Sequence, residues 1–196
     1  MKKIINEPTQ VVDEMLQGLS FMHDDLVERL DGFDVIVRKA EKTGKVGLIS
    51  GGGSGHEPSH AGFVGDGMLS AAICGAVFTS PTPDQILEAI KAADEGAGVF
   101  MVIKNYSGDI MNFEIAQELA EMEGIDVASV VVDDDIAVEN SLYTQGRRGV
   151  AGTILVHKIL GDAARSGKSL SEMKDLADKL VLEIKTIGLA LRSEER

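Results

Sequence analysis

The sequence predicts an α/β domain in which a largely parallel or mixed sheet is covered by helices on both faces, forming a three-layer sandwich. Apolar segments alternate along the chain with amphipathic segments of helical spacing, which is the pattern of a sheet layered with helices. Several apolar segments, such as GVFMVI at 98–103, are apolar throughout, as is typical of strands buried on both faces. The chain has 196 residues, which suits one domain with a sizeable core, so we expect a single domain over 1–196.

The amino-terminal half supplies the first elements. Apolar residues at helical spacing after Pro8 predict a helix over 9–31. Short apolar runs predict strands over 33–37, 46–49 and 68–74, and Pro58 is expected to begin a short helix over 58–64. A further helix is predicted to run to about residue 93, because Thr82 can cap it and Pro83 suits the first helical position.

The second half continues the alternation. Buried strands are predicted over 98–103 and 127–132, with a helix over 110–122 between them. A long loop then leads to a helix over 153–164. The capping box formed by Ser169 and Glu172 begins a last helix that is expected to reach towards residue 191.

Composition restricts the class of function. Hydrophobic residues make up 44% of the chain and the net charge is −13, so nucleic acid and anionic membranes are not expected partners. The single cysteine, Cys74, excludes an internal disulfide and lies in an apolar run, which favours a core position over a nucleophilic role. We see no signal peptide or membrane span and expect a cytoplasmic protein.

The run SGGGSGHEP at 50–58 follows a predicted strand and carries the strongest functional signal. Glycine has no Cβ, so the main chain can approach a ligand closely, although a flexible turn is the simpler alternative. The run does not match three known glycine-containing motifs. It lacks the Lys of a Walker phosphate-binding loop and the last glycine or alanine of a dinucleotide-binding loop. It also lacks the second glycine that a hydrolase nucleophile elbow would need after Ser54. We therefore predict that it holds a small polar molecule rather than a nucleotide.

The letters His56-Glu57-Pro58-Ser59-His60 also match a zinc-hydrolase motif. That motif requires both histidines on one helical face. If Pro58 begins a helix, His56 lies outside it, so no metal is predicted here. A zinc hydrolase remains the alternative that metal analysis tests.

Ligands of open α/β sheets bind beyond the carboxyl ends of the strands. Three predicted strands end in chemically useful residues: the glycine run with His56, the segment that contains Ser80, and the segment that contains Lys104 and Asp109. Each has a simpler interpretation, since Asp109 could cap a helix and Lys104 could be a solvated strand end. Arg147 and Arg148 could meet a phosphate, but pairing with the acidic run DDD at 133–135 is favoured.

Four separated motifs, spread over nearly the whole chain, resemble those of the dihydroxyacetone-binding K subunit of dihydroxyacetone kinase. They are GGGSGHEP at 51–58, GAVFTSP at 75–81, KNYSGD at 104–109 and GRRGVAGT at 146–153. The chain is most similar to the bacterial type, which is fed by the phosphoenolpyruvate phosphotransferase system rather than by free ATP.

The resemblance implies a phosphotransferase that acts on dihydroxyacetone. The family's substrate loop falls on residues 53–56, and His56 and Asp109 are the implied catalytic pair, one of which accepts the proton or hydrogen bond of the reacting hydroxyl. With Ser80, the expected substrate-binding residues are Gly53, Ser54, Gly55, His56, Ser80, Lys104 and Asp109. The resemblance places ADP or ATP and Mg²⁺ on a separate L subunit, which a phosphocarrier M subunit recharges, and leaves no cofactor on this chain.

The family also holds the substrate carbonyl covalently on a histidine of a second domain, and none of the four histidines here matches that position. We therefore expect an N-terminal domain only, either a fragment or a natural short paralogue, whose isolated activity is incomplete. A non-catalytic paralogue that senses dihydroxyacetone, as some coactivators of the family do, is the alternative function. A homo-oligomer is left open.

Overall fold

A computed structural model describes residues 4–137, 144 and 146–189 as a six-stranded sheet with five α-helices and two short 3-10 helices. The strands are β1 (Val27–Arg29), β2 (Val35–Arg38), β3 (Gly47–Ser54), β4 (Ala71–Val77), β5 (Val99–Lys104) and β6 (Val127–Val132). The α-helices are α1 (Val11–Met22), α2 (Pro83–Ala93), α3 (Ser107–Met122), α4 (Thr153–Arg165) and α5 (Leu170–Glu183), and the 3-10 helices are Pro8–Gln10 and Ala61–Phe63.

The sheet has the strand order β1-β2-β4-β3-β5-β6. The neighbouring strands β4, β3, β5 and β6 pair in parallel. At one edge β2 pairs antiparallel with β4, and β1 pairs antiparallel with β2. The carboxyl ends of β3, β4, β5 and β6 therefore lie along the same side of the sheet, and the loops that leave them meet there.

Two apolar clusters pack on opposite faces of the sheet. Leu48 and Phe100 face one cluster with α1, α4 and α5, while Ile49 and Met101 face the other with α2 and α3. Side chains alternate between the clusters along β3 and β5, as the pleat of a strand requires. The predicted three-layer α/β sandwich with a mixed sheet is confirmed.

The first predicted helix is too long. Helix α1 ends at Met22, where the backbone N–H of His23 donates to the carbonyl of Leu19, and residues 27–29 form strand β1 instead. Val27 lies opposite Arg38 of β2. Apolar spacing continues past residue 22, so only the pairing with a distant strand reveals the change, and tertiary contacts outweigh the local helical pattern.

Two further predicted helices differ from the structure. The segment 58–64 forms turns and one short 3-10 helix, Ala61–Phe63, so Pro58 does not begin an α-helix. Helix α5 ends at Glu183, and Thr186 then donates its backbone N–H to the carbonyl of Asp134. The residue 191 to which that helix was expected to reach lies outside the described residues. Within the described chain, no helix combines the length and the apolar character that crossing a membrane requires.

Candidate functional site

Gly53, near the end of β3, and Gly55, just after that strand, accommodate another part of the protein. A Cβ on Gly53 would lie 2.5 Å from the backbone nitrogen of Thr79 and 2.8 Å from the carbonyl carbon of Phe78. A Cβ on Gly55, whose φ is +124°, would lie 2.8 Å from the ring of Phe78. The loop that follows β4 therefore packs directly against the main chain at these two glycines. Packing of that loop, rather than close approach of a ligand, is the main reason that these positions are glycine.

A cavity of about 790 Å³ opens at the carboxyl ends of the parallel strands. The loops after β3, β4 and β5 and the start of α4 form its walls. Its lining residues are Gly53, His56, Pro58, Ser59, His60, Phe78, Ser80, Lys104, Tyr106, Asp109, Gly149, Val150, Ala151, Thr153 and Ile154. A pocket of this size, with a few converging polar groups, suits a small molecule.

Lys104 and His56 form the first polar contact of the cavity. The Nζ atom of Lys104, which is buried at the end of β5, lies 2.9 Å from Nε2 of His56. An ammonium group can only donate, so Nε2 of His56 accepts and the imidazole proton resides on Nδ1. Burial and then the charge of Lys104 lower the pKa of His56, so its ring is neutral near pH 7.

Asp109 and Ser80 form the second polar contact. The hydroxyl of Ser80 donates a short hydrogen bond to Oδ1 of Asp109. Burial raises the pKa of Asp109, while the bond from Ser80 and the charge of Lys104 oppose that rise. Helix α3 begins at Ser107 with Tyr106 as its N-cap, so Asp109 is a buried residue of the first helical turn and not a cap.

Five of the seven predicted substrate-binding residues line this cavity: Gly53, His56, Ser80, Lys104 and Asp109. Ser54 and Gly55 are not among the lining residues. The hydroxyl of Ser54 donates to the carbonyl of Gly75 at 2.8 Å, and Gly55 packs against Phe78. Their contact with substrate stays a prediction.

Sequence reasoning gave no role to two aromatic residues that line the cavity. Tyr106 is the third residue of the KNYSGD motif, and Nζ of Lys104 lies 5.6 Å from the centre of its ring. Phe78 has a φ of 53°, a left-handed backbone conformation that bulky residues rarely adopt, and the residue is 80% exposed. Position in the motifs is the only signal in the sequence that points to them.

The acidic run after β6 is structural in the described residues. Asp134 accepts backbone N–H bonds from Val150 and Gly152, both at 2.7 Å, and so fixes the segment that enters α4. Arg148 forms an ion pair with Asp135 at 2.7 Å, so the pairing favoured from the sequence is confirmed for Arg148, while that of Arg147 stays a prediction. The rest of the predicted long loop, at 138–143 and 145, lies outside the described residues.

The zinc motif does not form a helical metal site. His60 is buried and contacts His157 of α4, with Nδ1 of His60 lying 3.0 Å from Nε2 of His157. Among the residues that the structure describes, no group of three or more His, Cys, Asp or Glu side chains could hold a metal ion. Cys74 is buried in the core, and burial raises its pKa to about 12.

Comparison with protein families gives a match over most of the chain. The family model described as the Dak1 domain matches residues 17–195. The dihydroxyacetone-binding subunit DhaK of the PTS-dependent dihydroxyacetone kinase of Lactococcus lactis subsp. lactis (strain IL1403) is 70% identical over 190 residues, 97% of this chain and 57% of that protein. The DhaKLM operon coactivator DhaQ of the same organism is 43% identical over 189 residues, 96% of this chain and 57% of that protein.

The fold is similar to that of a solved kinase. The native crystal structure of the dihydroxyacetone kinase of C. freundii matches with a TM-score of 0.84 and 40% identity, covering 91% of this chain and 33% of that one. The same kinase has also been solved in complex with AMP-PNP and Mg²⁺. This chain thus spans little more than half the length of these curated relatives and a third of the solved kinase.

Proposed function

This chain belongs to the Dak1 domain family, and from that premise we propose that it is the N-terminal, dihydroxyacetone-binding domain of a kinase fed by a phosphoenolpyruvate phosphotransferase system. One observation carries the proposal: His56, Ser80, Lys104 and Asp109 converge in a single cavity at the carboxyl ends of the parallel strands. The proposed setting is the cytoplasm.

The cavity suits a small ketone that carries hydroxyl groups. Lys104 has further N–H donors besides the one it gives to His56, and the carboxylate of Asp109 has further acceptor lone pairs besides the one that Ser80 occupies, so the hydroxyls of dihydroxyacetone can find partners of both kinds. In the family, a histidine of a second domain holds the carbonyl covalently. We propose that the affinity of this domain by itself is therefore weak.

The proposed reaction is phosphoryl transfer to one hydroxyl of the ketone. The hydroxyl oxygen forms a bond to phosphorus, the bond from phosphorus to the donor nucleotide breaks, and the hydroxyl proton passes to His56 or Asp109. The lowered pKa of His56 leaves its ring neutral near pH 7, and its Nε2 can take the proton where the hydroxyl replaces Lys104 as the partner of that nitrogen. Burial raises the pKa of Asp109, which makes its carboxylate a stronger proton acceptor, while the charge of Lys104 opposes that rise. The contribution of this chain is then chiefly the positioning of the hydroxyl.

We propose that the nucleotide and its Mg²⁺ are carried by a separate L subunit, which an M subunit recharges. The complex of the C. freundii kinase with AMP-PNP and Mg²⁺ supports the use of this donor within the family. When bound, the nucleotide supplies the phosphoryl group. One of the two groups, His56 or Asp109, then accepts the proton that would otherwise remain on the attacking oxygen.

A chimera tests the proposal. Residues 1–189 of this chain replace the matching part of the Lactococcus lactis DhaK subunit, which is 70% identical, and the chimera is assayed with the L and M subunits of that organism. We expect formation of dihydroxyacetone phosphate, and a loss of about 100-fold or more in kcat for Asp109→Asn or His56→Asn. Wild-type turnover by both variants would remove the proposed roles.

The coactivator DhaQ supports a second candidate, a domain that binds dihydroxyacetone without transferring a phosphoryl group. Under that candidate the chimera binds the ketone, as seen by isothermal calorimetry, but forms no product with a complete set of partner subunits. The higher identity to the kinase subunit, 70% against 43%, favours the kinase.

A further inference from the structure

The loop after β4 is joined to the start of α3 by two hydrogen bonds. The hydroxyl of Ser80 donates to Oδ1 of Asp109, and Nδ2 of Asn112 donates to the carbonyl of Pro81 at 2.8 Å. The second bond holds the backbone of the loop against the helix. A small disturbance at Ser80 is therefore taken up by its side chain, which turns about a single bond between staggered positions.

The two carboxylate oxygens of Asp109 differ in their surroundings. Oδ1 accepts from Ser80, whereas no hydrogen bond within the described residues reaches Oδ2. In the same residues, the fully enclosed side-chain polar atoms without a partner belong only to His60 and His157, so Oδ2 is not enclosed. Since Asp109 lines the cavity, Oδ2 is the oxygen that remains open to a ligand there.

Gly108 leaves room for the hydroxyl of Ser80. It is the second residue of α3, and a Cβ there would lie 2.8 Å from Oγ of Ser80 and 3.4 Å from its Cβ. Its backbone has no positive φ that would require glycine, and alanine is normally the better residue in a helix. The close approach of the Ser80 hydroxyl therefore explains why this position is glycine.

We propose that Ser80 is a positioning residue for Asp109: its hydroxyl occupies Oδ1, fixes the rotation of the carboxylate and leaves Oδ2 directed at the reacting hydroxyl, and Gly108 makes that contact possible. The inference rests on the proposed function and deepens it, because it assigns Ser80 to the carboxylate rather than to the substrate.

The chemistry of the two groups supports this assignment. The torsion that turns an aspartate carboxylate is broad, so a carboxylate without a fixed partner samples many orientations. A hydroxyl has one hydrogen, and Ser80 gives its hydrogen to Asp109, so it cannot donate to a substrate at the same time. Hydrogen bonds to a charged acceptor are also stronger than those between neutral groups, which suits a fixed orientation.

Three variants of the chain without substrate test the inference. Ser80→Ala removes the hydroxyl, Gly108→Ala keeps it but forces it to turn away from the added methyl group, and the third variant carries both changes. Burial raises the pKa of Asp109 and the bond from Ser80 lowers it, so loss of that bond should raise this pKa further. We expect the same rise in all three variants, measured by the carboxyl ¹³C shift during a pH titration.

The double variant is the internal control. Without the hydroxyl, the methyl group at position 108 meets the Cβ of residue 80 at 3.4 Å, which is ordinary contact, so it should have no further effect on Asp109. An unchanged pKa of Asp109 in Gly108→Ala overturns the inference, as do rises that add in the double variant. Urea midpoints of the three variants establish that each is folded at the pH values of the titration.

The chimera with the Lactococcus lactis subunit gives a second readout. We expect kcat to fall about tenfold in Ser80→Ala and in Gly108→Ala, and no further in the double variant. If Ser80 instead donates to the substrate, Gly108→Ala retains more activity than Ser80→Ala because its hydroxyl is still present, and the inference is wrong. A parent chimera without activity contradicts the proposed function alone, since the titration of Asp109 still decides the inference.

Discussion

Adding one methyl group at Gly53 should displace the loop that holds Ser80. A Cβ there would lie 2.5 Å from the Thr79 nitrogen and 2.8 Å from the Phe78 carbonyl carbon, whereas ordinary contact begins at 3.4 Å. Both atoms are backbone, so no side-chain rotation relieves the clash. The turn at 78–79 must shift by about 1 Å or strain in place, and overpacking of this kind costs about 1–3 kcal/mol of unfolding free energy.

Gly52→Ala is the matched control. A Cβ on Gly52 would meet Oδ2 of Asp109 at 3.6 Å and Nζ of Lys104 at 3.7 Å, which are ordinary contacts. We therefore expect Gly52→Ala to change stability by less than about 1 kcal/mol, since replacing a strand glycine also removes freedom from the unfolded chain. Its methyl group touches the two charged residues of the site, so it should weaken binding of dihydroxyacetone while leaving the fold intact.

Urea unfolding of the two variants, with calorimetric titration of dihydroxyacetone, measures both effects. We expect Gly53→Ala to lower the unfolding midpoint and also to impair binding, because Ser80 moves with the turn and loosens its bond to Asp109. If Gly53→Ala proves as stable as Gly52→Ala, the glycine at 53 is not required by the neighbouring loop, and our account of the glycine run is wrong.

Three further changes test the charges of the site. Lys104→Met should raise the pKa of His56, because the charge of Lys104 lowers it, and an NMR titration that shows no rise contradicts the pairing. Asp109→Asn should stabilise the fold at pH 7. Burial raises the pKa of Asp109, so its ionised carboxylate lowers the free energy of unfolding as the pH rises above the ordinary pKa of 3.8. The urea midpoints of the variant and the parent should therefore converge as the pH falls towards 3. Cys74, with a pKa raised to about 12 by burial, should resist iodoacetamide at pH 8 in the folded chain and react in urea, and equal rates under both conditions would contradict its core position.

The sequence predicts the layers of this fold well because most elements carry their own signals. The uninterrupted apolar run at 98–103 becomes strand β5, and the Thr82-Pro83 start predicts the beginning of α2 correctly. The sequence does not predict strand β1, because its three residues continue the apolar spacing of α1 and are identified only by their pairing with β2. The resemblance given by four separated motifs is confirmed by the family match over residues 17–195.

The sequence likewise predicts the features of the site that depend on strand ends, but not those that depend on contacts between distant segments. The carboxyl ends of parallel strands share one edge of a sheet, so the sequence predicts that His56, Lys104 and Asp109 lie in one cavity. The sequence could not reveal that the glycines at 53 and 55 accommodate the turn at 78–79, since that contact joins segments more than twenty residues apart in the chain. Nor could it pair His60 with His157, which are 97 positions apart.

The glycine run therefore serves the proposed chemistry indirectly. Because Gly53 has no Cβ, the loop after β4 can pack on the end of β3, and Ser80 of that loop donates to Asp109. The charge of Lys104 in turn favours the ionised form of Asp109. If the glycines served to bind a ligand through backbone N–H groups, substitutions that keep those groups in place would be tolerated. If they leave room for a neighbouring loop, such substitutions are not tolerated. The contrast between positions 52 and 53 distinguishes these two explanations of the same sequence signal.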